Sequence, residues 1–149
     1  MDDQKAVKRG ATSALLQGAI LWRRLAERAL VAEGISAARA DVLIWVGRLG
    51  GGLRQVQLAD AIGSSSNALV RLLDELSAAN LIERRVDGSD RRANLIWLTS
   101  EGQAMAARAE SVLDNLREDI LSDAPADDLK ALVRVHEIMT AAHVKRSGD

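Results

Sequence analysis

Two short helical patterns joined at a glycine, and followed at once by two β-forming segments, constrain the fold of this chain most strongly. The patterns lie at residues 56–62 and 65–79, with Gly63 and a cluster of serines between them. Glycine permits the tight left-handed turn that joins the two helices of a helix-turn-helix pair. The apolar seam between these helices is predicted to consist of Leu58, Ile62, Leu69, Leu72 and Leu73.

The two β-forming segments, 80–86 and 92–98, bracket the turn sequence DGSD and therefore predict a β-hairpin. Arg91 and Arg92 follow this turn at the tip of the hairpin. On spacing alone, two such arginines are most simply solvated surface residues. Their position directly after a helix-turn-helix pattern instead favours contact with DNA, because a hairpin beside a recognition helix can lie along the adjacent minor groove.

Two further helices are predicted before this central region. Residues 12–33 contain no proline and carry apolar residues at helical spacing, and Gly34 is suited to end that helix. Ser36 is suited to cap a second helix, which runs to about Arg48, where the three glycines at 50–52 interrupt it.

Two helices are also predicted after the hairpin. A long helix begins at Ser100 after a cap at Thr99 or Ser100, and Pro125, the only proline, is placed where the last helix can start. The apolar stripes of the first and last helices are more extensive than a monomer of this size can cover. A homodimer formed by both ends of the chain is therefore expected.

The composition excludes several kinds of site. The 149 residues include no cysteine, which excludes disulfides and thiolate metal sites. His136 and His143 are seven residues apart on the last predicted helix, roughly 10 Å along its axis, which is too far for one metal ion. The chain shows neither a nucleophile motif nor a phosphate-binding glycine loop, so neither an enzyme nor a cofactor is expected.

Charge and hydropathy set the expected location and partners. The formal net charge is −1 and is not arranged as a broad basic patch, so composition alone does not indicate a nucleic-acid partner. No apolar run approaches the roughly 20 residues that span a bilayer. The segment MDDQKAVKRG lacks the apolar stretch of a signal peptide. We therefore expect a cytoplasmic protein without a membrane partner.

The central region resembles the winged helix-turn-helix core of the MarR family of bacterial transcription regulators. The resemblance rests on three motifs in the correct order, LVRLLD at 69–74, DRRA at 90–93 and LTSEG at 98–102, and on the order of the flanking helices. Two positions depart from the family pattern. Asn80 stands where a glycine is usual before the first wing strand, and Gly88 stands where a proline is common before the wing tip.

This resemblance implies a mainly α fold with a small β-hairpin wing (α+β), organised as a single MarR-like domain over residues 1–149. Residues 36–99 are expected to form the winged helix-turn-helix DNA-binding lobe. The segments 12–34 and 100–144 are expected to be the N- and C-terminal dimerisation helices.

The resemblance also implies a function: a homodimer that binds duplex DNA at a pseudo-palindromic operator, as a repressor released by a small aromatic or anionic ligand. Asp90 is expected to hold the wing in shape. Trp22, Trp45 and Arg48 are expected to line a ligand pocket in which the arginine faces a carboxylate, although tryptophans on apolar stripes are more often core residues. The expected DNA-binding residues are Ser64, Ser65, Ser66, Asn67, Arg71, Arg91, Arg92 and Arg54.

A second interpretation of the same pattern is an all-α protein-interaction module. In that case the wing contacts a protein partner and the chain does not bind DNA. Salt-dependent binding to duplex DNA distinguishes the two, because contacts to phosphates release counterions and contacts to a neutral protein surface do not.

Overall fold

The structure of the chain, a computed structural model, describes residues 2–148. It confirms the expected fold class, a mostly helical chain with a small antiparallel sheet. The elements along the chain are α1 (Asp2–Val31), α2 (Ala37–Arg48), β1 (Leu53–Arg54), α3 (Gln55–Ile62), α4 (Ser66–Ala78), β2 (Ile82–Val86), β3 (Asn94–Leu98), α5 (Ser100–Leu121) and α6 (Ala126–Ser147).

The first helix is longer than predicted. It begins at Asp2, whereas the apolar pattern indicated a start at residue 12. Residues 3–11 are exposed and carry no apolar stripe, but they include good helix formers and no proline, so the helix continues through them. The predicted start was wrong because apolar periodicity detects a buried face rather than helix formation itself.

The turn between α1 and α2 follows the prediction. Gly34 adopts a positive φ of 81°, and the Ser36 hydroxyl oxygen accepts a hydrogen bond from Arg39 N at 3.3 Å, which caps α2. The second helix then runs through the centre of the core. Its fully buried residues are Ala40, Val42, Leu43 and Val46.

The glycines after α2 lead into a strand that the sequence did not predict. Gly50, Gly51 and Gly52 all have positive φ, and they turn the chain into β1. This strand pairs antiparallel with β3, with Leu53 opposite Ile96. It was missed because two residues carry no alternating pattern and their pairing partner lies far along the chain.

The predicted hairpin is confirmed, and it forms two of the three strands. The sheet order is β1-β3-β2, so β3 lies in the middle. The register places Ile82 opposite Leu98 and Arg84 opposite Ile96. Ile82 and Ile96 are buried, which fixes the inner face of the wing against the helices.

The helix-turn-helix pair is formed by α3 and α4, joined at Gly63 with a φ of 72°. The predicted seam is confirmed. Leu58, Leu69 and Leu73 are fully buried, and Ile62 and Leu72 are partly buried against the same core. This packing presents the opposite side of α4 to solvent.

The LTSEG motif locks the wing to the start of α5. Thr99 Oγ1 accepts from Gly102 N at 2.9 Å and donates to Asn80 O at 2.7 Å. A Cβ on Gly102 would lie 1.8 Å from Leu81 O, so no other residue fits there. Asn80 itself has a φ of 57°, a left-handed conformation that asparagine tolerates better than most residues.

The described part of the chain divides into two compact units, residues 2–116 and 117–148. The core described above belongs to the first. In the second, α6 continues to Ser147, beyond the predicted end at 144, because Lys145 and Arg146 are good helix formers and are favourable in a last turn. No residue of α6 is buried in the part of the chain that the structure describes. The dimerisation role of the terminal helices stays a prediction.

Candidate nucleic-acid interface

The first residues of α4 are held by local hydrogen bonds. Ser65 caps the helix, since its hydroxyl oxygen accepts from Ala68 N at 3.3 Å. Gln55 of α3 donates its side-chain amide to Ser66 O at 3.3 Å, which ties the two helices together at this end. Ser66 and Asn67 are exposed, and Ser64 is half-buried in the turn before them. The start of α4 is therefore polar and accessible to solvent.

Further along α4, two arginines share one carboxylate. Arg71, whose side chain is 86% exposed, donates to Glu75 at 3.0 Å from one turn away. Arg39 of α2 donates to the same residue at 2.9 Å. The hydrogen bond from Arg39, followed by that from Arg71, lowers the pKa of Glu75. Arg71 is therefore oriented along the helix surface while most of its guanidinium remains in solvent.

The recognition helix is also fixed to the wing. Arg84 of β2 donates to Asp74 of α4 at 2.6 Å. Asp74 lies on the same helix as Asn67 and Arg71, two turns after Asn67. The position of β2 relative to α4 is therefore set by a charged contact as well as by the buried sheet face.

At the base of the wing, Asp87 is the centre of a hydrogen-bond network. Its carboxylate accepts from Ser89 N at 2.9 Å and from Ser89 Oγ at 2.8 Å, and from Arg54 Nη2 at 2.6 Å. These hydrogen bonds lower the pKa of Asp87 to about 2, and the one from Ser89 N has the largest effect, followed by the one from Arg54. This ionised and buried carboxylate connects β1 to the wing loop.

Sequence analysis did not single out Asp87. Its position in the turn sequence DGSD was the only available signal, because aspartate often accepts hydrogen bonds from the backbone two residues later. Its partner Arg54, which is expected to bind DNA, is paired with Asp87 while 46% of the Arg54 side chain stays exposed.

The tip of the wing is shaped by Asp90 and carries two free cations. Asp90 Oδ1 accepts from Arg92 N at 3.0 Å, and Asp90 O accepts from Ala93 N at 3.0 Å, so the loop closes as a compact turn. Arg91 and Arg92 are exposed. Their guanidinium groups make no ion pair with any side chain that the structure describes, residues 3–148.

The other basic residues of the lobe differ in this respect. The segment 36–99 holds six more arginines, and each of them is paired with an acidic residue. The pairs are Arg39–Glu75, Arg48–Glu110, Arg54–Asp87, Arg71–Glu75, Arg84–Asp74 and Arg85–Glu83.

Trp97 explains why glycines occupy the loop before β1. A Cβ on Gly51 or Gly52 would lie 2.6 or 2.8 Å from the indole ring, so the ring packs directly on the glycine backbone. The Arg85 guanidinium lies 4.8 Å from the centre of the same ring. Trp97 therefore has a structural role in the wing. Sequence analysis did not predict this contact, because it interpreted the glycines only as the end of a helix.

The residues proposed for a ligand pocket lie against the core of the first unit. Trp22 and Trp45 are partly buried there. Arg48 lies 5.6 Å from the Trp45 ring and pairs with Glu110 of α5 at 2.5 Å. The described concavities lie on the surfaces of α1 and α6, and neither is lined by these three residues.

Two general findings concern the described residues alone. Among the side chains of residues 3–148, no group of three histidine, aspartate or glutamate residues is arranged to hold a metal ion. In the same range, the helices are too short or too polar to cross a bilayer.

Comparisons with known proteins agree on one family. A model of the MarR family matches residues 33–93. The transcriptional regulator PA3341 is 30% identical with a TM-score of 0.78, and the match covers 91% of this chain and 98% of that one. CouR from Rhodococcus jostii RHA1, bound to p-coumaroyl-CoA, is 25% identical with a TM-score of 0.76, covering 84% and 87%. A mutant MarR from E. coli, complexed with operator DNA, is 22% identical with a TM-score of 0.74, covering 91% and 95%.

Proposed function

We propose that this chain, which belongs to the MarR family of transcription regulators, forms a homodimer. The homodimer binds a specific duplex DNA site and represses transcription. The observation that carries the proposal is the pair Arg91 and Arg92, which no acidic side chain between residues 3 and 148 neutralises. A guanidinium held at the end of a structured hairpin suits a phosphate or a narrow minor groove, because it is always charged and weakly hydrated.

In the proposed complex, the start of α4 enters the major groove. Recognition helices contact base edges mostly with their N-terminal residues. Asn67 can bond to an adenine edge, and Ser66 can bond to a base or a phosphate. Ser65 keeps its capping bond and can still donate its hydroxyl proton. Ser64 lies in the turn before α4, beside the sugar-phosphate backbone of the DNA. Arg71 is long and exposed enough to reach a phosphate or a guanine.

We assign Arg54 a positioning role rather than a direct contact. Its guanidinium is bound to Asp87 at 2.6 Å, and its own backbone N donates to Gln57 Oε1 at the start of α3. The residue therefore connects the helix-turn-helix pair to the wing. Asp90 acts in the same way at the tip, where it fixes the backbone that carries Arg92.

The dimer is supported by apolar residues that the monomer leaves exposed at both ends of the chain. On α1 these include Leu16 and Ile20, and on α6 they include Leu132, Ile138 and Met139. Helices of a monomeric protein rarely keep such stripes in water. We propose that a second copy of the chain covers them, because two-fold symmetry would also place two α4 helices on the two halves of a pseudo-palindrome.

A chain that ends before Ala126 tests the dimer. Without α6, the protein is expected to lose the dimer, to expose apolar surface and to lose most of its operator affinity, as measured by sedimentation and DNA titration. A truncated chain that stays a folded dimer with unchanged operator affinity would contradict this part of the proposal.

We further propose that a small aromatic or anionic ligand releases the DNA. The bound p-coumaroyl-CoA of CouR is an aromatic and anionic molecule in a similar fold. In this chain, Arg48 already pairs with Glu110 and lies beside Trp45, so a carboxylate ligand would have to displace Glu110. A ligand that favours one spacing of the two α4 helices then shifts the dimer away from DNA.

Ligand binding is tested by tryptophan fluorescence and DNA titration together. Salicylate-like acids are expected to quench the fluorescence and to weaken operator binding over the same concentration range. Trp22→Leu is expected to reduce the quenching, and quenching that is unchanged in this variant would place the site elsewhere.

DNA binding itself is tested by selection from a random pool of duplexes. The full chain is expected to enrich one pseudo-palindrome, and its affinity for that sequence is expected to fall steeply with salt. A protein that enriches no sequence, and does not bind duplex DNA at low salt, would instead be the protein-interaction module.

A further inference from the structure

The exposed side of α4 carries one large apolar side chain, Val70, among polar residues and alanines. Ser66, Asn67, Arg71 and Asp74 are all exposed along it. Val70 lies among them, with 40% of its surface accessible. Because residues three and four apart are neighbours on a helix, Val70 is next to Ser66, Asn67 and Asp74.

Val70 does not belong to the apolar core of the monomer. The neighbouring Leu69 and Leu73 are fully buried and make the contribution of α4 to the core. A β-branched residue on the exposed side of a helix is slightly less favourable than alanine, because its rotamers are restricted against the preceding turn. An apolar side chain kept here is more useful to a binding partner than to the monomer.

The charged side chains near Val70 are already held within the protein. Asp74 is bound to Arg84 at 2.6 Å, and Arg71 is bound to Glu75 at 3.0 Å. Val70 is therefore an apolar contact point on the polar surface of α4. The charged residues that follow it on the helix are held in place by their ion pairs. In the major groove, the C5 methyl of thymine is the apolar group that base edges present.

We propose that Val70 determines specificity by packing against the C5 methyl of a thymine in each operator half-site. This rests on the proposed function, in which α4 lies in the major groove. Val70 is three residues after Asn67, about 4.5 Å further along the helix axis, which is close to the 3.4 Å spacing of successive bases. The thymine is therefore expected beside the base pair that Asn67 contacts.

The experiment uses the full chain and the duplex selected from the random pool. Each thymine of the half-site is replaced in turn by deoxyuridine, which removes only the methyl group. Affinities of the native protein and of Val70→Ala are measured on every duplex at one salt concentration. At one thymine of the half-site, deoxyuridine should weaken native binding about fourfold for each half-site that carries it, the effect of roughly one buried methyl group.

Because both changes remove the same contact, the loss of affinity from deoxyuridine and the loss from Val70→Ala should not add. Val70→Ala changes both subunits of the dimer, so it should bind the thymine duplex about fourfold more weakly for each half-site, and it should not distinguish thymine from deoxyuridine at the same position. Val86→Ala is the matched control, because Val86 is an exposed valine of the wing and should keep the native response to deoxyuridine.

Two results would overturn the inference while DNA binding stands. One is a Val70→Ala loss that adds to the deoxyuridine loss at every thymine, and the other is a selected half-site without thymine. Failure of the proposed function is distinguishable, because then the pool yields no preferred duplex for any of the three proteins.

Discussion

Asp87 at the base of the wing and Arg92 at its tip lie close together in the chain, yet their side chains have opposite surroundings. Asp87 is 9% exposed and accepts hydrogen bonds from Arg54 and Ser89. Arg92 and its neighbour Arg91 are exposed, and they make no ion pair with the side chains of residues 3–148. The loop between them is closed by Asp90 through backbone hydrogen bonds.

The difference separates charges that build the wing from charges that the wing presents. A pair such as Arg54–Asp87 contributes no net charge and holds two segments of the fold together. Two adjacent arginines repel each other and add nothing to the monomer, so their role depends on an anionic partner. In this account, the base can be damaged only by changing the structure, whereas the tip can be changed without affecting it.

Asp87→Ala is expected to have the largest effect, because it removes the hydrogen-bond network at the base of the wing. The variant leaves Arg54 unpaired and Ser89 without its acceptor, so the loop should lose its fixed shape. Operator affinity is expected to fall about a hundredfold, since each subunit then presents both arginines on a disordered tip. Titration of labelled operator measures this effect.

Asp87→Asn is the matched control for that variant. Asparagine can still accept from Ser89 N, so it should retain part of the affinity. Native affinity in Asp87→Ala would show that the base network does not position the tip.

Asn67→Ala should have a smaller effect that is restricted to one base pair. Loss of a good base contact costs about tenfold at the contacted position, with little change for other sequences. Ser65→Ala is a less clean test, because the hydroxyl caps α4 and its loss also destabilises the helix by about 1 kcal/mol. Affinities on a panel of single base-pair substitutions check the prediction, and a uniform loss across the panel would contradict it.

The parts of this interface that depend on local sequence could be predicted, and the parts that depend on distant pairing could not. The turn at Gly63, the cap at Ser36 and the hairpin around DGSD follow from neighbouring residues, and the structure contains all three. The paired state of Arg54 depends on a residue far along the chain. Sequence analysis therefore could not predict that Arg54 is paired with Asp87.

The tip could be identified because its features are local. Asp90 and the two arginines lie in one short motif, and the turn that Asp90 forms involves only neighbouring residues. By contrast, the contact of Trp97 with Gly51 and Gly52 requires β1 to pair with β3. Two residues of strand carry too little pattern to predict that pairing.

The smallest expected effect is the pH dependence of the base. Folding lowers the pKa of Asp87 from its ordinary value of 3.8 to about 2, so the folded state favours the ionised form. Its contribution to the free energy of unfolding is therefore complete above about pH 4, and it is lost as the pH falls from 4 through 2. Denaturant unfolding of the native chain and Asp87→Asn should show a stability gap that narrows over this range. A gap that is unchanged at pH 2 would contradict the ionised network.

The salt dependence of operator binding by the double variant Arg91→Ala/Arg92→Ala tests the central claim most directly. The dimer loses four cationic side chains, so the slope of log affinity against log salt should become shallower by about 3 to 4, while the free energy of unfolding stays at its native value. Arg146→Ala removes a positive charge from the last turn of α6 and should leave the slope unchanged. If the double variant keeps the native slope and affinity, the wing-tip arginines are solvated surface residues and do not bind DNA.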